Sequence, residues 1–253
     1  MKTNKRMTSL RLALACVSSC FAGGAFAADA PAAPATDMAA PPPSSSSDVD
    51  KNTVRLGYYF VHYSASAANL SGPFTPAGIN LRVENVNTPY FAYLRRLAPH
   101  WELELAAGVP PKTKTYGVGP NYLGSVPFNG QEVATAKWFS PTVLLEYVFC
   151  DEHAALRPYV GAGLNYTHFY DRQSTAAGNA ANGGPTSTGL NDSVGPAATA
   201  GLSYHPLPHW EVMGSFSIAR VKSDYDSDTA GIQRRTTVDF HPTTWVLGVG
   251  YSF

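Results

Sequence analysis

The sequence carries little charge and no excess of either sign. Lys and Arg total 18, Asp and Glu total 18, and charged residues make up only 14% of the chain. No run of Lys or Arg could line a phosphate backbone, and nothing in the composition points to nucleic acid. We therefore expect no nucleic-acid partner.

Cysteine is also scarce, and two of the three cysteines, Cys16 and Cys20, lie near the N-terminus. A basic start, an apolar stretch and the small-residue site Ala25–Ala27 predict a signal peptide over residues 1–27. An alternative is that Val17–Cys20 is a lipoprotein box and Cys20 is lipidated. Both interpretations take the chain out of the cytoplasm. Cleavage after Ala27 would leave only Cys150, so the mature chain could form no internal disulfide.

Long apolar runs are absent after this leader, so the sequence contains no readable transmembrane helix. Residues 28–52 are rich in Ala, Pro and Ser and offer almost nothing for a core. We expect a disordered lead-in over 28–52 and a folded part over 53–253.

In the folded part, apolar residues alternate with small or polar residues with a period of two, which predicts strands with one apolar face. In the last segment Trp245, Leu247 and Val249 share one face, and small residues such as Gly248 and Gly250 share the other. Eight such segments are predicted, at 54–63, 89–97, 100–109, 138–149, 157–170, 197–205, 209–221 and 244–253.

The connections between these segments alternate between short and long. Short turns at one end and long loops at the other are typical of an outer-membrane barrel with an even number of strands. A soluble lipocalin-type barrel has the same period with its apolar face inward. Small residues on the polar faces and aromatics near strand ends favour the membrane form. The sequence therefore predicts an all-β fold, an eight-stranded antiparallel transmembrane β-barrel with short periplasmic turns and long extracellular loops.

The tetrapeptide Pro-His-Trp-Glu occurs twice, at Pro99–Glu102 and at Pro208–Glu211. Each copy begins a predicted strand after a short turn, which points to two similar hairpin starts rather than to a functional motif. An outward Trp at such a position suits the lipid–water boundary. We predict an interfacial aromatic belt, formed by Trp101, Trp210, Tyr251 and Phe253.

Three segments, RPYVGAGLNYTHFYD at 157–171, LLEYVFCDE before it and WVLGVGYSF at the end, resemble the OmpW family of small outer-membrane proteins. The resemblance implies an eight-stranded barrel with a narrow apolar lumen that passes small hydrophobic molecules. It also implies that some members are receptors for phage or bacteriocins. The chain departs from the family pattern in its lead-in, in a long Gly/Asn-rich third loop and in Cys150, where a small residue such as Gly is typical.

Charged residues on the inward faces predict a polar network in the lower lumen, because buried charges need partners or water. Its predicted members are Arg55, Arg96, Glu102, Glu104, Glu146 and Glu211. Such a network could equally be structural and hold a small barrel shut.

Prolines at the ends of the third and fourth predicted strands suggest a weak place in the wall. Pro110 and Pro111 end the third strand, Pro141 interrupts the fourth at a height similar to that of Pro110, and proline cannot donate to a ladder. We predict a lateral opening there that would deliver hydrophobic solute to the bilayer. The alternative is that these strands simply end above the hydrocarbon zone.

No spacing in the sequence defines a catalytic, metal or cofactor site, so we predict none of these and no enzyme. A lipid-modifying enzyme remains an alternative, since His62, His168 and His241 lie near outer strand ends, close to Ser64, Asp171, Asp224 and Asp226. An adhesive or phage-receptor barrel is another. The expected partners are outer-membrane lipids, small hydrophobic solutes and the barrel-assembly machinery, which would recognise the C-terminal strand.

Overall fold

The computed structural model describes residues 50–253. The predicted signal peptide, Cys20 and nearly all of the predicted lead-in lie outside the described residues. In the described part, no helix has the length and apolar character needed to cross a membrane.

Seventeen strands and one short helix make up the described residues. The strands are β1 (Asn52–Tyr63), β2 (Ser66–Ala67), β3 (Asn80–Val83), β4 (Val86–Ala98), β5 (Trp101–Gly108), β6 (Lys112–Val118), β7 (Tyr122–Leu123), β8 (Val126–Pro127), β9 (Glu132–Phe139), β10 (Thr142–Val148), β11 (Leu156–Ser174), β12 (Thr186–Leu190), β13 (Ser193–Leu207), β14 (Trp210–Ala219), β15 (Lys222–Thr229), β16 (Ile232–Asp239) and β17 (Pro242–Ser252). The helix is α1 (Ala176–Asn182).

Eight of these strands close into a barrel. The order around the wall is β1, β4, β5, β10, β11, β13, β14 and β17, and β17 pairs again with β1. All these pairings are antiparallel. The predicted eight-stranded antiparallel barrel is therefore confirmed.

The apolar stripes of the strands face outward. In β17, Trp245 and Leu247 are 57% and 63% exposed, whereas Val246 between them is 5% exposed. The same alternation runs through β5, where Leu103 and Leu105 are exposed and Glu104 is buried. An apolar exterior around a buried ionic interior suits lipid and excludes the lipocalin arrangement.

The predicted long loops contain strands of their own. β9, β6 and β3 continue the sheet outward from the upper part of β11. The hairpin of β15 and β16 pairs with β12 on one side and β2 on the other. These strands are polar, as in KTKTYGV of β6, because no lipid covers them. They therefore lack the apolar stripe by which the barrel strands were recognised.

The fourth predicted segment, 138–149, is also not one strand. β9 ends at Phe139 and β10 begins at Thr142, with Ser140 and Pro141 between them. Proline lacks the N–H that a ladder needs, which accounts for the break at this point.

Aromatic side chains gather where the strands meet the short turns. The ring of Trp101 lies 5.2 Å from that of Tyr147, and the ring of Trp210 lies 5.2 Å from that of Tyr251. These four side chains lie on the outer surface, as does Phe253, which is 56% exposed. Amphipathic rings at this level suit the membrane–water interface.

Candidate functional site: the barrel lumen

Arg55 lies at the centre of an ionic cluster in the lower lumen. Its Nε donates to Glu211 Oε1 at 2.6 Å, and its Nη1 donates to Glu104 Oε2 at 2.9 Å. The guanidinium also lies over the Tyr159 ring, 5.2 Å from its centroid. Arg55 is 2% exposed, so its charge depends on these partners rather than on water.

A second group of ion pairs lies closer to the short turns. Arg96 Nε donates to Glu102 Oε1 at 3.4 Å, and Arg157 Nη2 donates to the same oxygen at 3.5 Å. Arg96 also reaches Glu152, on the turn after β10, at 3.5 Å. The six charged residues proposed from the sequence thus all lie in one region of the lumen. Arg157, Glu152 and His205, whose Nε2 lies 3.6 Å from Glu211 Oε2, also belong to it.

Sequence reasoning missed Arg157, although alternation along β11 was a sufficient signal. Arg157 precedes Pro158 and shares its face with buried Tyr159. Tyr90 was also missed, because its hydroxyl gives no sequence signal. That hydroxyl donates to Glu104 Oε1 at 3.0 Å.

Glu146 is the least satisfied member of the ionic cluster. It is 1% exposed, and neither of its carboxylate oxygens has a hydrogen-bond partner among the described residues. Its nearest cation is Arg55, whose Nη1 lies 3.8 Å from Glu146 Oε2.

Glycines on the inner face make room for these large side chains. A Cβ at Gly250 would lie 2.4 Å from Glu211 Oε1, and one at Gly201 would lie 2.3 Å from the Tyr159 ring. Both approaches are closer than any real Cβ contact. The small residues on the predicted inner faces therefore fill a physical need: the lumen of an eight-stranded barrel is only wide enough for side chains.

Above the ionic cluster lies an apolar cavity of about 130 Å³. Tyr90 and Glu104 form its floor, and Trp138, Phe169 and Phe240 line it higher up. The Phe169 and Phe240 rings stack with centroids 5.5 Å apart. Ser and Thr side chains also line the cavity, but most of its surface is aromatic or aliphatic, which suits a largely apolar ligand.

The wall beside this cavity is interrupted. The pairing of β5 with β10 ends at Ala106 and Thr142, and the pairing of β6 with β9 begins at Lys112 and Lys137. Residues 107–111 and 138–141 form no ladder pairs with each other across this stretch. Pro110, Pro111 and Pro141 all fall in it.

The inner edge of this interruption is part of the cavity wall. Ala107, Thr113 and Trp138 line the cavity there, together with Ser140 and Thr142. Trp138 Nε1 donates to Thr113 Oγ1 at 2.8 Å, which links the two sides just above the unpaired stretch. The cavity therefore reaches the position where the wall lacks backbone pairing.

Two of the outer histidines lie beside carboxylates: His168 hydrogen-bonds to one, and His241 lies within ion-pair distance of another. His168 Nδ1 lies 2.9 Å from Asp192 Oδ1, and Tyr166 donates to Asp192 Oδ2 at 2.6 Å. His241 Nδ1 lies 3.3 Å from Asp239 Oδ1. In residues 50–253 no three His, Cys, Asp or Glu side chains converge on a potential metal position. The partners that the structure gives these two histidines are therefore carboxylates.

Comparisons with known proteins agree with the barrel and with its location. The model of the OmpW family matches residues 51–253. Outer membrane protein W of Vibrio cholerae is 31% identical over 122 residues, covering 48% of this chain and 55% of that protein. The Escherichia coli K12 protein of the same name is 30% identical over 146 residues, covering 55% of this chain and 68% of its own length.

Among solved structures, the outer membrane protein OprG from Pseudomonas aeruginosa superimposes with a TM-score of 0.73. It is 23% identical, and the match covers 81% of this chain and 96% of that one, which shows a shared fold. These relatives are outer-membrane proteins, and the exposed apolar belt requires lipid. The chain is an outer-membrane β-barrel, and it belongs to the OmpW family.

Proposed function

We propose that the barrel is a passive conduit through which small hydrophobic molecules enter the outer membrane. Solute would enter the apolar cavity from the outer end and leave through the wall between Pro110 and Pro141. The observation that carries this proposal is the position of the cavity, which lies between a closed floor and an interrupted wall.

The floor argues against straight passage to the periplasm. Arg55, Glu104, Glu146 and Glu211 are each at most 5% exposed and fill the lumen below the cavity. An apolar solute crossing them would have to separate buried ion pairs, which costs several kcal/mol (about 3–5 for one partner lost). A sideways route avoids that cost because it meets only the unpaired backbone edge and lipid.

Restoring backbone pairing in the wall tests this route. In cells that lack other hydrophobic-solute channels, the double variant Pro110→Thr, Pro141→Thr should take up a labelled alkane more slowly than the wild type. The added N–H groups can bond across the gap and close it. Pro127→Thr, on exposed β8 away from the gap, is the matched control and should keep wild-type uptake. Undiminished alkane uptake by the double variant would contradict the proposed lateral exit.

A receptor or adhesive barrel with a closed lumen is the competing function. The ordered strands above the membrane would serve it by presenting a fixed surface. Uptake distinguishes the two: a pure receptor would give the same alkane uptake as cells that lack the protein.

A further inference from the structure

Arg234, in the hairpin above the membrane, is a buried cation without an acidic partner. It is 8% exposed and shares the inward face of β16 with Thr236 and Val238. Its Nη1 donates to Asn182 Oδ1 at 3.2 Å. Among residues 50–253, no carboxylate oxygen lies within the 4.0 Å of an ion pair with Arg234.

This isolation is unusual because the same hairpin carries acidic side chains. Asp224 and Asp226 lie on its opposite, exposed face, and Asp224 Oδ1 accepts from Thr237 Oγ1 at 2.7 Å. Arginine is rarely buried unless an anion pairs with it, since losing hydration without compensation is costly. Arg55, with carboxylates at 2.6 and 2.9 Å, shows how this chain pairs a buried guanidinium elsewhere.

A second, smaller cavity lies against Arg234. Its volume is about 60 Å³, and its apolar lining includes Leu70, Phe74, Ile79 and Phe128. One water needs about 10–15 Å³ on this scale, so the cavity holds roughly four to six waters. That space suits a carboxylic acid of on the order of six carbon atoms, with little room for a bulkier solute.

We infer that this cavity is a binding site for a small amphiphilic monocarboxylate. The guanidinium would bind the carboxylate through two parallel N–H donors, and the alkyl or aryl body would lie on Ile79 and Phe128. Such bidentate pairing is the geometry that arginine favours with carboxylates. The ligand would supply the negative charge that the described residues do not place beside Arg234.

Phe74 adds an apolar contact at the edge of this site. It lines the cavity but is 85% exposed, and its φ of 56° is a conformation that bulky side chains rarely adopt. Most of the Phe74 ring is therefore open to a ligand. A bound alkyl chain would bury part of it.

The site is distinct from the barrel cavity, although the two have Leu81 and Tyr225 in common as lining residues. Its occupation does not require the lateral exit. A failure to bind carboxylate would therefore not contradict the proposed conduit. Undiminished alkane uptake by the proline variant would likewise not contradict the carboxylate site.

This inference can be tested by measuring hexanoate binding with saturation-transfer NMR at neutral pH. The sample is the full mature protein in lipid nanodiscs, and empty nanodiscs are the blank. Wild type should bind hexanoate saturably, and Arg234→Met should bind it about 10- to 100-fold more weakly, the loss expected for a charge-assisted pair. The neutral analogue 1-hexanol should bind both proteins alike. Phe74→Ala should weaken hexanoate binding about 3- to 10-fold through lost apolar contact.

Arg235→Met is the matched control, because Arg235 is the next residue on β16 and points to the exposed face. It should bind hexanoate as the wild type does. If Arg234→Met fails to fold, Arg234→Lys and Phe74→Ala carry the test, since Phe74 is exposed. No saturable binding to wild type, or equal hexanoate affinity of wild type and the Arg234 and Phe74 variants, would overturn the inference.

Discussion

At the scale of single residues, Arg55 determines whether the lower lumen is electrostatically balanced. Glu104 and Glu211 bond to it directly, and Glu146 has no closer cation. Removing one partner from a buried ion pair costs far more than removing an exposed charge, because the remaining charges stay buried without compensation.

We expect Arg55→Met to lower the free energy of unfolding by about 3–5 kcal/mol. Arg95→Met should change it by about 0.5 kcal/mol or less, because Arg95 is exposed and, within residues 50–253, its side chain bonds only to Asn52. Urea unfolding in detergent, followed by tryptophan fluorescence, measures both. Equal free energies of unfolding for the Arg55 and Arg95 variants would mean that water enters the ionic cluster and screens its charges.

Cys150 occupies a backbone position that favours glycine. Its φ is 64°, in the left-handed region where a Cβ is strained and glycine is not. Cys150→Gly should therefore be more stable than Cys150→Ala by about 1 kcal/mol. Thermal unfolding of the two variants, monitored by gel mobility, gives the comparison; a more stable alanine variant would show that the turn relaxes.

At the scale of elements, β11 extends beyond the barrel and carries β9 on its outer half. Lys137 on β9 bonds Asp171 Oδ2 on β11 at 3.0 Å. This ion pair, above the membrane, holds the pKa of Asp171 below its ordinary value. A lowered carboxyl pKa stabilises the pairing at neutral pH, and this contribution disappears as the pH falls below the ordinary range for aspartate.

Lys137→Met should return the Asp171 pKa toward its ordinary value, since the hydrogen bond and charge of Lys137 are its largest causes. Carboxyl-carbon NMR titration of the labelled protein gives the value directly. Lys222→Met, a substitution of an exposed lysine on β15, should leave the Asp171 titration unchanged. A common titration curve for all three proteins would contradict the assignment of the shift to Lys137.

The barrel strands could be predicted from the sequence because lipid on one side and a narrow lumen on the other enforce a period of two. The strands above the membrane face water, so β6 and β15 show no comparable pattern. Inward charges such as Glu104 followed from alternation alone. Their partners did not, because pairing Arg55 on β1 with Glu211 on β14 depends on barrel closure and spans 156 positions.

At the scale of the whole molecule, the first and last barrel strands form the closing seam. Phe253 N donates to Asn52 O at 2.8 Å, and Asn52 N donates to Phe253 O at 3.1 Å. Eleven residue pairs join β1 to β17, from Thr53–Ser252 to Tyr63–Pro242. The terminal strand is thus one complete side of that seam.

Since we propose that the barrel-assembly machinery recognises this strand, Phe253→Ala should lower the amount of folded barrel in the outer membrane. Leu247→Ala, on the same strand and the same outward face, is the control and should be assembled like wild type. Heat-modifiable mobility of outer-membrane fractions reports the folded amount. If the Phe253 variant reaches the wild-type amount of folded barrel, assembly does not depend on the aromatic ring of Phe253.

Arg55 belongs to the strand that closes the cylinder, whereas Glu104 and Glu211 come from strands on either side of it. In a sheet not yet closed at this seam, β4 alone separates β1 from β5, so Arg55 still lies beside Glu104, whereas Glu211 on β14 lacks its cation. Pairing of β1 with β17 brings Glu211 to Arg55 and so completes this ion pair. The closed barrel is therefore electrostatically more stable than its open precursor, because Glu211 gains its cation only when the seam closes.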